Sequence, residues 1–354
     1  MPLLHPALSL RAPAVRVLLL ASLLSLTSCW WDDDKPVTTS TEAVVDSVVD
    51  ADLAIAVAAP EYWPTAGWEE AAPELHGFPA DAFDSLAADA QADLPYYTSM
   101  LVIKDGYLLH ESYFDGTPPL EDEAQEAERI NQLRDKKHHV YSISKSVTSM
   151  TFGVAWTRGD ITRLDVTAGD TFSATETGAM SVSDPRLDIT PMHALQMRSG
   201  LAWNENAWLD DENKSPINVA FSDVTCTGSP NPLLCAILQQ SSAYAPGTTW
   251  NYSTYDTYLA AAFFTKMTGQ SVREYAQQNL FNTLGIEQEN IFWPGVPTPA
   301  YTFGGGFLHI RSRDLAKLGM LMLQNGKWDG MQLISPEWMN MSLSAQGAGT
   351  LAAF

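Results

Sequence analysis

The sequence has few basic residues and no long apolar run. Of its 354 residues, 20 are lysine or arginine and 42 are aspartate or glutamate, so the formal net charge is −22 at pH 7. This imbalance argues against binding to nucleic acid, because the phosphate backbone is itself negatively charged. The one apolar run, residues 17–26, is too short to span a bilayer. The chain also lacks the G-x-S-x-G, H-E-x-x-H and P-loop motifs of other mechanisms. Of its seven histidines only His138 and His139 adjoin, and adjacent residues cannot share one helical ligand face, so we expect neither a metal nor a cofactor.

The N-terminus has the pattern of an export signal. Two arginines precede the apolar run, and Leu26-Thr27-Ser28-Cys29 follows it, as is typical of a secretory signal peptide. The ending resembles the bacterial lipobox, which implies a lipidated Cys29; an ordinary signal peptide that contains a cysteine is the alternative. Because Trp30 rather than aspartate comes next, the lipoprotein sorting rule favours the outer membrane, facing the periplasm. We expect a signal peptide over residues 1–28 and a flexible tether over 29–60.

The chain has only three cysteines, and two remain if Cys29 carries lipid. Cys226 and Cys235 flank the turn-rich sequence TGSPNPLL. Disulfides persist in exported proteins, and no metal-ligand spacing surrounds this pair. The pattern favours a disulfide over two free thiols.

Local signals predict a hairpin followed by an acidic segment. Two apolar, β-rich runs, Thr98–Lys104 and Tyr107–Phe114, are separated by Asp105-Gly106, which is a strong signal for a two-residue hairpin turn. The acidic residues between Glu121 and Glu128 indicate a solvated helix face or a flap.

The next segment predicts a helix that begins with a candidate catalytic pair. Residues 142–158 lack proline, have apolar residues at helical spacing and end at Gly159-Asp160. Ser142 and Lys145 lie three residues apart, so they share a helix face. A helix N-terminus favours developing negative charge, and burial weakens the affinity of a lysine for its proton. The spacing indicates a serine nucleophile with a lysine base, but it fits a serine-capped helix with an exposed lysine equally well.

Other segments carry a resemblance to a known family. The S-x-x-K helix start is followed, in order, by Met197-Arg198-Ser199-Gly200-Leu201, by Ala245-Pro246-Gly247 leading to Tyr252-Ser253-Thr254, by GGGFLHIRSRDLAKLG over 304–319, and by Gly326-Lys327-Trp328-Asp329-Gly330. This order resembles that of the β-lactamase-related serine hydrolases, which include class C β-lactamases, D,D-peptidases, family VIII esterases and 6-aminohexanoate-dimer hydrolases. The resemblance runs from about Thr98 to Met341.

The resemblance implies a fold and a set of roles. The fold is a mixed α/β (α+β) domain over residues 61–354, with an antiparallel sheet flanked by helices and an all-helical subdomain. Ser142 attacks an acyl carbon, Lys145 takes its proton, and Tyr252 is the second acid/base. The alternative for Tyr252 is a packed core aromatic. The backbone N–H of Ser142 supplies half of the oxyanion hole, and the expected partner is a small ester or amide.

Two departures from the family pattern shape the expected substrate. Penicillin-recognising members have Tyr-x-Asn, but the third place here is Thr254, and a hydroxyl cannot offer both an amide donor and a carbonyl acceptor. The threonine therefore favours substrates of the esterase and 6-aminohexanoate-hydrolase branch over penicillins. Trp203 opens a long segment that runs to Cys235 and either lines the substrate pocket or packs in the core. We take Thr254 and Trp203 as candidate substrate-binding residues.

The second departure concerns the family's third motif, Lys-Thr-Gly or His-x-Gly, on a strand after the R-D-L-A helix. Only MSLSAQGAGTLAAF follows Asn340, and Gly347-Ala348-Gly349-Thr350 is a poor match. We therefore expect the second oxyanion donor and the last strands of the sheet to be missing, and the activity of the chain to suffer. A non-catalytic periplasmic lipoprotein that keeps the fold as a scaffold is the alternative function, as is a β-lactamase or D,D-peptidase.

Overall fold

The structure is a computed structural model that describes residues 58–344, apart from 87–88, 90–96, 116, 118–121, 206–225, 227 and 296–299. The predicted signal peptide, Cys29 and nearly all of the tether lie outside the described residues. So do most of the segment between Trp203 and Cys235, and Gly347–Thr350.

The predicted hairpin is confirmed. Strand β1, Ser99–Lys104, pairs antiparallel with β2, Tyr107–Tyr113. Asp105 and Gly106 both have positive φ, 54° and 93°, as a type I′ turn requires. A Cβ atom on Gly106 would lie 1.7 Å from the carbonyl oxygen of Tyr62, so glycine also lets the segment before the hairpin cross the turn. Among the described residues the hairpin pairs with no third strand, apart from a bridge between Glu70 and Leu108.

Two smaller antiparallel sheets complete the described strands. Strand β3, Lys137–His139, and β4, Ile291–Phe292, both pair with β5, His309–Arg311, which lies between them. Strands β6, Lys327–Trp328, and β7, Met331–Gln332, form the hairpin at the Gly326–Gly330 turn. Strand β3 leads directly into the helix that carries Ser142 and Lys145.

Helices make up most of the described chain. They are α1 Glu123–Asp135, α2 Ile143–Arg158, α3 Ala168–Thr171, α4 Pro191–Leu195, α5 Pro232–Leu238, α6 Thr254–Thr268, α7 Val272–Ala276, α8 Ser312–Leu323 and α9 Pro336–Leu343, with short 3-10 or π turns at Pro73–His76, Pro185–Asp188, Gln277–Phe281 and Gln288–Asn290. The acidic segment forms the start of α1, which buries none of its side chains, so the solvated helix face is confirmed. No helix in the described part of the chain is both long enough and apolar enough to cross a membrane.

Helices α2 and α6 form the centre of the core. Most of their side chains are buried, including Phe152 on α2 and Phe263 and Phe264 on α6. Helix α2 ends where predicted, because Gly159 adopts the left-handed conformation that closes a helix. Helix α6 begins at Thr254, because the side chain of Ser253, at the N-cap, accepts a hydrogen bond from the backbone N–H of Asp256. The sequence therefore places two rigid, buried helices side by side.

Candidate active site

The first turn of α2 brings Ser142 and Lys145 together. The Lys145 Nζ atom donates a hydrogen bond to Ser142 Oγ over 2.9 Å. Ser142 occupies the N-cap position, but its side chain makes no capping hydrogen bond, and only 1% of Lys145 is exposed. Both observations contradict the interpretation of a serine-capped helix with an exposed lysine. The residue before Ser142, Tyr141, has a φ of 44°, a conformation that costs energy outside glycine and often marks functional sites.

Burial changes the acid–base properties of Lys145. Its removal from water lowers the pKa to about 8, against an opposing effect from the negative charge of Glu205. The Nζ atom also donates to the carbonyl oxygen of Gly305 over 2.9 Å. This second partner fixes the direction of the ammonium group, and the lowered pKa makes a neutral, basic amine accessible near physiological pH.

Tyr252 reaches the same hydroxyl from a distant part of the chain. Its phenol donates a hydrogen bond to Ser142 Oγ over 2.7 Å, although 110 residues separate the two in sequence. The Nζ atom of Lys145 lies 5.0 Å from the centre of the Tyr252 ring, within the range of a cation–π contact. The three residues predicted to be catalytic therefore meet at one oxygen atom.

The glycines before β5 explain how a backbone carbonyl reaches Lys145. A Cβ atom on Gly305 would lie 2.6 Å from the carbonyl oxygen of Thr254, and one on Gly304 would lie 2.9 Å from Thr148 Oγ1. Only residues without side chains fit between α2 and α6 at this point. In the sequence these glycines are a family landmark only, and no residue signal indicates the contact of the Gly305 carbonyl with Lys145.

A second serine in the same motif is not placed for chemistry. Ser144 is fully buried, and its hydroxyl donates to the carbonyl oxygen of Tyr141 over 2.6 Å while it accepts from the Leu308 N–H over 3.3 Å. These bonds join α2 to the segment before β5. Ser142 is partly exposed, so it is the serine that a substrate can reach.

Thr254 and Trp203 meet at a carboxylate that the sequence analysis did not single out. Glu205 accepts hydrogen bonds from the Thr254 hydroxyl and from the Thr254 backbone N–H, the latter over 2.9 Å. Its Oε2 atom also accepts from Trp203 Nε1 over 2.6 Å. The Trp203 ring packs edge-on against Tyr255, with 4.4 Å between ring centres. The Thr254 hydroxyl is thus occupied by Glu205. The available signal was this acidic residue, four positions after Leu201 of the M-R-S-G-L segment.

The M-R-S-G-L segment is held to α6 by a buried pair. Ser199 donates to the Asp256 carboxylate through its hydroxyl, over 2.8 Å, and through its backbone N–H, over 3.1 Å. Burial raises the pKa of Asp256 to about 7, although these hydrogen bonds act in the opposite direction. The pair places Trp203 and Glu205 beside the start of α6.

The two cysteines at the edge of the undescribed segment are bonded to each other. The sulfur atoms of Cys226 and Cys235 lie 2.13 Å apart, and both residues are buried. Cys235 belongs to α5, so the bond joins Cys226 to the helical core.

Comparisons with known proteins identify the family and the fold. The Beta-lactamase family model matches residues 98–350, which is more than half of the chain. A Bacillus anthracis protein assigned as a 6-aminohexanoate-dimer hydrolase is similar in structure, with a TM-score of 0.56 and 18% sequence identity, over 80% of this chain and 70% of that protein. A penicillin-binding protein from Bacillus halodurans has a TM-score of 0.53 and 14% identity, over 75% of this chain and 80% of that protein.

A comparison with curated protein sequences gives no match. Structural likeness at such low identity shows the fold alone, and it confirms the expected mixed α/β fold of the β-lactamase/transpeptidase type. The described strands form small antiparallel sheets among the helices. The family model carries the assignment: this chain belongs to the Beta-lactamase family of serine hydrolases.

Proposed function

We propose that this protein hydrolyses small esters or amides through an acyl-enzyme on Ser142. The observation that carries the proposal is that Ser142 Oγ accepts hydrogen bonds from both Lys145 and Tyr252. An amine whose pKa is lowered by burial and a phenol at the same oxygen provide a base and an acid for one nucleophile.

The proposed reaction follows from these positions. Neutral Lys145 accepts the hydroxyl proton while Ser142 Oγ forms a bond to the acyl carbon. The carbonyl oxygen takes up the electron pair and is stabilised by the backbone N–H of Ser142 at the start of α2. When the tetrahedral intermediate collapses, Tyr252 donates its proton to the departing alcohol or amine. Water then attacks the acyl-enzyme, Tyr252 recovers a proton from that water, and the Lys145 ammonium returns its proton to Ser142.

The surroundings of Thr254 support an ester or simple amide rather than a penicillin. Its hydroxyl donates to Glu205, and no amide side chain stands at this place to hold the acylamino group of a β-lactam. This favours the esterase and 6-aminohexanoate-hydrolase branch over the β-lactamases and D,D-peptidases.

A covalent serine probe tests the proposal. We expect a fluorophosphonate to label the full-length protein on the peptide that contains Ser142, and we expect p-nitrophenyl butyrate to be hydrolysed. Ser142→Ala should abolish both, whereas Ser146→Ala, at a half-buried serine on the same helix, should retain both. A folded protein that neither takes the label nor hydrolyses the ester would instead support the non-catalytic scaffold.

A further inference from the structure

Glu205 lies at the start of α6, and its negative charge acts on the candidate base Lys145. Its two oxygens accept from an indole N–H, a backbone N–H and a hydroxyl. Both N–H groups donate to Oε2 and the hydroxyl lies at Oε1, so the three bonds fix the orientation of the carboxylate. The backbone N–H belongs to Thr254 in the first turn of α6, where the helix dipole also favours negative charge.

This carboxylate is tied to the segment that presents Tyr252. Thr254, which it binds twice, is two residues from Tyr252, whose phenol lies 2.7 Å from Ser142 Oγ. Trp203 adds a third bond, because its indole N–H donates to Glu205 while its ring packs against Tyr255. The carboxylate therefore cannot move away from the start of α6 without breaking its hydrogen bonds to Thr254 and Trp203.

Nothing in the proposed acyl-transfer steps requires this charge. Lys145 supplies the base and Tyr252 the acid, and the Ser142 N–H stabilises the oxyanion. Glu205 remains partly exposed, so a bound substrate would experience its field. Unlike charges within several ångströms attract and like charges repel, and the effect is stronger in a partly desolvated site than in water.

We infer that Glu205 is a specificity-determining residue that restricts the substrates to esters and amides with neutral or cationic acyl groups, and that it discriminates against acyl groups bearing a carboxylate. The inference rests on the proposed hydrolase function and adds the charge class of its substrate.

Three matched esters test the inference on the full-length protein. The p-nitrophenyl esters of hexanoate, of adipate and of 5-(trimethylammonio)pentanoate share one leaving group and differ in acyl charge. We expect kcat/KM for the cationic ester to exceed that for the anionic ester by about tenfold at low salt. The ratio should fall towards one as ionic strength rises from about 0.01 to 1 M, because the screening length shortens from about 30 to about 3 Å.

Variants separate Glu205 from the general acidity of the protein. Glu205→Gln keeps a carbonyl oxygen for the N–H donors, so it should fold and bring the ratio close to one. Glu205→Asp keeps the charge and should keep a preference for the cationic ester. Glu128→Gln removes a charge from an exposed position on α1 and should leave the ratio unchanged.

The outcomes are distinguishable. If the wild-type protein hydrolyses none of the esters and takes no serine probe, the proposed function fails. If it hydrolyses them, and Glu205→Gln, shown to be folded by circular dichroism, keeps the wild-type ratio, this inference is overturned and the function stands. If Glu205→Gln does not fold, the salt series and Glu205→Asp decide. A wild-type ratio that does not change with salt overturns the inference, and so does a folded Glu205→Asp variant without a preference for the cationic ester.

Discussion

The Nζ atom of Lys145 lies 2.9 Å from the carbonyl oxygen of Gly305, a residue 160 positions later in the chain. The contact joins the start of α2 to the glycine-rich segment before β5. It holds the amine in a buried position, where its pKa falls to about 8. Several predictions about catalysis depend on this burial.

The pH dependence of turnover should report the pKa of Lys145. In the proposed mechanism the neutral amine is the active base, so kcat/KM for a p-nitrophenyl ester should rise with pH and level off above about 8. At pH 7 about a tenth of the molecules would hold the neutral form, far more than at an ordinary lysine pKa. Lys145→Ala should lower kcat/KM by about 10²- to 10⁴-fold.

Lys317 provides the matched control for that profile. It is also buried, its pKa is also lowered by burial, and its Nζ atom donates to the carbonyl oxygens of Leu284 and Gly285. Lys317→Met should reduce thermal stability but leave the pH profile of the folded protein unchanged. A wild-type profile that is flat between pH 6 and 9, or that still rises at pH 10, would contradict the role given to Lys145.

Tyr252→Phe should reduce turnover while substrate binding is largely kept. The substitution removes the phenol that donates to Ser142 Oγ but retains the ring next to Lys145, so proton transfer suffers and packing does not. We expect kcat to fall by about 10²- to 10⁴-fold, with KM changed much less. Tyr244→Phe, at a residue that is 48% exposed, is the control. Equal kcat values for Tyr252→Phe and wild type would remove Tyr252 from the mechanism.

Gly305→Ala should disturb both the fold and the site. Its Cβ atom would lie 2.6 Å from the Thr254 carbonyl oxygen and 2.7 Å from Thr254 Cγ2, so the backbone must shift and carry its carbonyl away from Lys145. Such overpacking typically costs about 1–3 kcal/mol. Gly306→Ala is the matched control, because its Cβ atom would meet only the Phe303 ring, at 3.6 Å. Melting temperature and ester turnover should both fall for Gly305→Ala alone.

The hairpin and the start of α2 could be read from the sequence, since their determinants are local. Asp105-Gly106 specifies the turn, and the spacing of Ser142 and Lys145 brings their side chains together in any α-helix. The partners of Lys145 and Thr254 could not be read in this way. A backbone carbonyl such as that of Gly305 has no residue signature, and the contact of Glu205 with Thr254 joins two segments that lie far apart in sequence. Thr254 therefore suggested a substrate contact from sequence, whereas its hydroxyl binds Glu205 in the fold.

The disulfide should contribute measurably to stability. Cys226 and Cys235 are nine residues apart, and closing a loop of that size stabilises by roughly 2–3 kcal/mol in the chain-entropy model. The double substitution Cys226→Ser with Cys235→Ser should lower the melting temperature. Reductant should lower the melting temperature of the wild type but not that of the double variant. Peptide mapping under non-reducing conditions that recovers both thiols unmodified would rule out the bond.

Attachment to the membrane should depend on Cys29. A lipid on this residue is proposed from the sequence alone, and its attachment would require cleavage after Ser28. We expect the wild-type protein to fractionate with membranes and Cys29→Ala to be released or left unprocessed. The intact mass of both proteins is the measurement, and a Cys29→Ala protein with unchanged mass and membrane association would contradict lipidation.

Ser142 and Lys145 sit on one helical turn, whereas Tyr252 belongs to the segment that leads into α6. A small rotation of α2 against α6 would preserve the distance between nucleophile and base and would change only the distance to the phenol. The first property to suffer would be the delivery of a proton to the departing group. Aryl esters, whose phenolates leave unaided, would tolerate such drift, but alkyl amides would not. In the proposed mechanism, the range of leaving groups would therefore be set by the packing of α2 against α6 rather than by the S-x-x-K motif.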